Sequence, residues 1–60
     1  MAAKFELSMD KTGEFRFKLV ASNGETIAVS EGYTTKAKAM NGIASVKENA
    51  SKAETVDKTA

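Results

Sequence analysis

Three short segments of this chain alternate apolar and polar residues, and one amphipathic helical pattern follows them. Phe5-Leu7-Met9, Phe15-Phe17-Leu19 and Ile27-Val29 each occupy every second position of their segment. A period of two places each set on one face of a β-strand. From about Lys36 to Glu48 the period lengthens. At about 100° per residue, Ala39, Met40, Ile43, Val46 and Ala50 fall within about 120°, the width of a core-facing helix stripe. A one-sided sheet and a one-sided helix bury their apolar faces against each other. The expected unit is therefore α+β, an antiparallel meander covered by one helix.

The turns follow from matching the faces, because residues directly opposed in an antiparallel pair share a face. A loop of Lys11-Thr12-Gly13 pairs Met9 with Phe15, Leu7 with Phe17 and Phe5 with Leu19. Leaving Gly13 out of the loop sets Leu7 against Arg16 and splits the apolar set. Glycine suits the last loop position because it adopts the left-handed backbone at little steric cost. The second connection is read alike. The loop Ser22-Asn23-Gly24 sets Leu19 against Ile27 and Phe17 against Val29. The shorter Asn23-Gly24 hairpin would instead set Leu19 against Ala28 and Lys18 against Val29. Face matching selects the longer loop.

Thr35 is the best helix N-cap, its hydroxyl accepting from a free first-turn N–H, with Thr34 as the alternative. Gly42, in mid-helix, costs about 1 kcal/mol against alanine, and a close backbone approach beside the stripe is the expected reason. Asn49-Ala50-Ser51 reads as the helix stop, and Ala53-Glu54-Thr55-Val56-Asp57 as one short terminal strand. The whole chain, 1–60, reads as a single domain with an ordered core of about 4–57.

With 60 residues this unit is marginal: below roughly 70–80 residues one core rarely supplies more than about 3–5 kcal/mol. Cysteine and histidine are both missing from the sequence, so a disulfide or a thiolate or imidazole metal site cannot serve as a staple. Self-association is the remaining common device. Nine basic and eight acidic residues interleave to a net charge of +1. No long-range field therefore selects nucleic acid or an anionic membrane. No apolar stretch approaches the roughly 18 residues of a transmembrane helix, and no leader pattern opens the sequence. Cytoplasmic residence is the expectation.

The candidate chemistry is thin. Glu14 and Glu31 lie near strand ends, but acid–base work needs a cleft and a perturbed pKa, and a flat sheet offers little cleft. No catalytic, metal or cofactor residues are assigned, and the reading is non-enzymatic. Ser30, Glu31, Tyr33 and Thr34 form the densest polar-plus-aromatic cluster and are the candidate positions for a small ligand or peptide. Lys4, Arg16 and Lys18, on the face away from the helix, are the candidate nucleic-acid contacts. Alternation turns Phe15 and Phe17 away from that face, so no aromatic ring stacks where a phosphate would be held. Met9 and Met40 read as core filler.

The runs Gly13-Glu14-Phe15-Arg16-Phe17-Lys18-Leu19, Asn23-Gly24-Glu25 and Ser30-Glu31-Gly32-Tyr33, with Lys36, Asn41-Gly42-Ile43 and Ser45-Val46-Lys47-Glu48-Asn49-Ala50, carry a likeness. Over about residues 4–57 the chain resembles the YegP-like family of small bacterial proteins of unknown function. The resemblance implies a β-β-β-α-β unit occurring singly or in tandem, two units forming one continuous sheet with exchanged C-terminal strands. For a chain with one unit it implies a homodimer, and it supplies no catalytic or binding residues. The functional expectation is a small dimeric interaction or accessory module. Weak nucleic-acid binding through the outer sheet face of the dimer is the alternative.

Overall fold

The computed structural model describes residues 2–59. Strands β1 (Lys4–Met9), β2 (Phe15–Val20) and β3 (Thr26–Val29) precede one helix, α1 (Lys36–Asn49). The strands form an antiparallel sheet in the order β1-β2-β3. The helix packs chiefly against β2, the central strand.

The first hairpin has the expected register, with Phe5 opposite Leu19, Leu7 opposite Phe17 and Met9 opposite Phe15. Gly13 sits at φ +84°, the left-handed conformation that ends this loop type. Asp10 organises the turn. Its Oδ1 accepts from the backbone N–H of Thr12 at 2.9 Å and of Glu14 at 3.0 Å, and from the Thr12 hydroxyl at 2.6 Å. Aspartate opens such turns because its short carboxylate reaches the backbone two residues on.

The second hairpin corrects the sequence reading. Its loop is Ser22-Asn23-Gly24, with Gly24 at φ +91°. The Ala21 N–H donates to Glu25 O at 2.7 Å, and Val20 lies opposite Thr26. The next pair, however, is Leu19 with Ala28, followed by Lys18 with Val29. Ile27 is thus the extra residue of a β-bulge, two residues facing one. The physical reason lies beyond β3. Ser30 N–H donates to Phe17 O at 2.8 Å, and Phe17 N–H donates to the Ser30 hydroxyl at 2.9 Å. Tyr33 and Phe15 exchange two backbone bonds of 2.8 Å. These anchors hold the far end of the segment in a shifted register, and the bulge reconciles it with the turn. The expected inner pair, Ile27 and Val29, is 61% and 73% exposed as a result.

The buried apolar residues are Phe17, Val20, Ala39 and Ile43. Val20 follows the inward Leu19 and so falls on the outward side of β2, yet it is buried between its pair partners Lys4 and Thr26. Phe17 meets Phe5 edge-on at 6.0 Å between centroids and stacks on Tyr33 at 6.1 Å. Offset and T-shaped pairs add to the area such rings bury. Met9 and Met40, expected as core filler, are exposed. Met9 sits at the rim of the open β1 edge, and the buried helix stripe narrows to Ala39 and Ile43.

Thr35 caps the helix as expected, its hydroxyl accepting from Lys38 N–H at 3.1 Å. Gly42 has the expected close neighbours. A Cβ built there would stand 2.8 Å from the Tyr33 hydroxyl and 3.0 Å from Phe17 Cε2. The helix ends at Ala50. Residues 53–59 run on exposed and are not part of the three-stranded sheet.

Candidate functional site

The helix covers β2 and leaves the inner face of β3 bare. The result is an apolar groove of about 250 Å³. Its floor is Phe5, Phe17, Leu19 and Ala28, with Tyr33 at one end and Val46 on the helix wall. The bulge places Ala28 there, because it turns that residue inward opposite Leu19. The small side chain leaves a hollow that valine or isoleucine would have filled. The outer edge of β3 is also unpaired, so its free backbone groups border the hollow, and an uncovered edge invites another strand.

The candidate cluster of Ser30, Glu31, Tyr33 and Thr34 stands at one end of this groove, and much of its chemistry is already used. The Ser30 hydroxyl accepts from Phe17 N–H and donates to Glu31 O at 2.8 Å. It occupies a place in the ladder that a backbone carbonyl would normally hold. Tyr33 is tied to Phe15 through its backbone and stacked on Phe17 through its ring. Ser30, Glu31 and Tyr33 line the groove, while Thr34 is exposed beyond its lining. These residues shape a pocket end and present few free polar groups to a ligand.

The outer face collects Lys4, Arg16 and Lys18, and each is paired. Lys4 Nζ lies 3.1 Å from Glu6 and Lys18 Nζ 3.6 Å from the same carboxylate. Arg16 Nε donates to Asp10 Oδ2 at 2.7 Å, and its Nη1 donates to Ser30 O at 3.3 Å. The Lys4 ammonium, with Lys18 behind it, holds Glu6 below the usual carboxylate range. The Thr12 hydroxyl and then the Arg16 guanidinium hold Asp10 well below it. The same carboxylate raises Arg16. Glu14 approaches Arg16 Nη2 at 3.9 Å, and its neighbour Phe15 pairs with Tyr33, two residues beyond the Glu31 that the single register of the longer loop would set there.

Sequence reasoning missed two features. Asp10 was only one more outward polar residue, although its place at the head of an Asp-x-x-Gly turn was a signal of its role. The groove could not be seen, because it depends on the bulge. Among the described residues no group of three or more His, Cys, Asp or Glu is placed to hold a metal. No helix there is long and apolar enough to cross a membrane.

The fold and the groove define a small α+β module with an apolar groove beside the outer edge of β3. Residues 10–57 match the domain of unknown function DUF1508. The chain is 57% identical over 56 residues to a UPF0339 protein of Agrobacterium fabrum, covering 93% of this chain and 90% of that one. It is 53% identical over 58 residues to the UPF0339 protein YegP of Escherichia coli, covering 97% of this chain but 53% of the relative. The chain belongs to the YegP-like UPF0339 family, whose function is unknown. Solved structures agree on the fold. A Haloferax volcanii protein superposes with a TM-score of 0.85 at 42% identity, over 93% of this chain and 95% of that one. An Agrobacterium tumefaciens protein superposes with a TM-score of 0.78 at 55% identity, over 92% and 89%.

Proposed function

We propose that this chain is a non-enzymatic interaction module that works as a homodimer, in which residues about 53–57 of each copy pair with the sheet of the other. The observation that carries the reading is the apolar groove beside the unpaired edge of β3. Val56, 64% exposed in its own chain, is the apolar residue such a segment has to offer. A core of four buried side chains among the described residues is marginal alone, and exchange of an identical segment is a low-cost route to a dimer. The match to only about half of the YegP length fits a unit that also occurs within longer chains.

Light scattering at tens of micromolar tests the proposal. A dimer is expected, with a melting temperature that rises with protein concentration because folding and association are linked. Deleting residues 51–60 should leave a destabilised or aggregating chain. A stable full-length monomer, or a truncated chain that remains a well-folded dimer, would refute the exchange. Nucleic-acid binding through Lys4, Arg16 and Lys18 is the competing outcome. Retention on heparin or DNA at low salt, lost steeply as salt rises, would favour it. The three ion-paired cations argue for weak retention.

A further inference from the structure

The sequence holds two Asn-Gly pairs, Asn23-Gly24 and Asn41-Gly42, in unlike backbones. Both asparagine side chains are exposed. Asn41-Gly42 lies inside α1, where each backbone N–H is bonded to the carbonyl four residues back. The Gly42 side of that helix is packed against the Tyr33 hydroxyl and Phe17. Asn23-Gly24 lies at the tip of the β2–β3 loop, and nothing stands within 4 Å of a Cβ built on Gly24. The Asn23 carboxamide oxygen accepts from Glu25 N–H at 3.0 Å. That bond draws electron density from Cγ and makes the carbon more electrophilic. Gly24 N–H donates to Ala21 O at 2.9 Å, a single turn bond rather than one rung of a helical ladder.

We propose that Asn23 is a site of spontaneous conversion to isoaspartate, and that Asn41 is protected by the helix. The Gly24 nitrogen loses its proton to solvent base and attacks Asn23 Cγ. The new N–Cγ bond forms as the Cγ–Nδ2 bond breaks, and ammonia leaves with the proton returned. The resulting succinimide ring takes up one water. Opening at one carbonyl gives aspartate, and opening at the other gives isoaspartate, with the main chain rerouted through the side-chain carbon. The acid product lowers the net charge from +1 to zero. The isoaspartate adds a methylene to the backbone between Ala21 and Glu25, inside the two hydrogen bonds that close this turn. An enzyme that methylates isoaspartyl carboxyls is the class of partner that would recognise the product.

The test is incubation of the full-length chain at mildly alkaline pH, with peptide mapping by mass spectrometry over time. Asn23 is expected to convert, with isoaspartate in excess of aspartate and a rate that rises with pH. Asn41 should convert at least about tenfold more slowly, since its backbone must open locally first. In denaturant the two rates should converge. An Asn23→Gln variant should lose the acid product in the turn while Asn41 behaves as before. Equal rates at the two sites in the folded chain would overturn the proposal. So would an Asn23 that stays an amide while the denatured chain converts, or a product that is aspartate alone.

Discussion

Replacing Gly42 with alanine sets two well-characterised effects against each other. In an exposed helix interior the change would stabilise by about 1 kcal/mol, because glycine loses more backbone entropy on folding. Here the added methyl would stand 2.8 Å from the Tyr33 hydroxyl, 3.1 Å from Tyr33 Cζ and 3.0 Å from Phe17 Cε2. Relief requires moving Tyr33, which is stacked on Phe17 and bridged to Phe15 through its backbone, or tilting the helix off β2. Overpacking of this kind costs about 1–3 kcal/mol. The net expectation is a loss of up to about 2 kcal/mol, or several degrees in melting temperature for a domain this small. Circular dichroism melts at one fixed protein concentration measure it. In a Tyr33→Phe background the hydroxyl contact is gone, so the cost of Gly42→Ala should shrink by at least about 0.5 kcal/mol, the coupling expected of touching residues. A Gly42→Ala variant that melts higher than the parent would refute the close-approach argument. Equal costs in both backgrounds would show that the Tyr33 hydroxyl is not the obstacle.

Other outcomes follow from the same contacts. Phe17→Ala should cost about 3–5 kcal/mol, comparable with everything a domain of this size owns, and leave the chain largely unfolded by circular dichroism. Arg16→Ala, next to it on the outer face, should shift the melt only slightly. Equal effects would overturn the face assignment. Asp10 is held low by the Thr12 hydroxyl and Arg16, so its stability contribution is present above the unfolded pKa near about 3.9 and is lost as pH falls through the lower folded value. Melts taken from about pH 5 downward should therefore lose stability on acidification, and Asp10→Asn should make that decline shallower. The decline that remains belongs partly to Glu6 and Asp57, which are depressed as well.

Much of this fold was legible because its signals are local. Strict alternation fixes which side of β1 and β2 faces inward, and Gly13 names the loop that keeps Phe5, Leu7 and Met9 opposite Leu19, Phe17 and Phe15. Thr35, the helix span and the tight neighbourhood of Gly42 were each readable from residue type and spacing. The shallow burial of Met9 and Met40 was not, because a period says which face a side chain takes and not whether anything lies opposite it.

The second hairpin shows where local reading ends. Two registers compete for it, and the protein uses both: the longer loop's pairing at Val20 and Thr26, and the shorter loop's pairing at Leu19 and Ala28. Face matching favoured a single register because it treated Ile27 and Val29 as core. The decisive residue is Ser30, whose hydroxyl and backbone N–H both engage Phe17. A serine in that position carries no apolar signal, so nothing in the alternation pointed to it as the anchor. Its consequence is chemical as well as geometric. By forcing Ile27 out and Ala28 in, it trades a buried β-branched residue for a methyl and opens the hollow that Phe5, Leu19, Tyr33 and Val46 surround. The exposed Val29 and the open groove therefore have one cause.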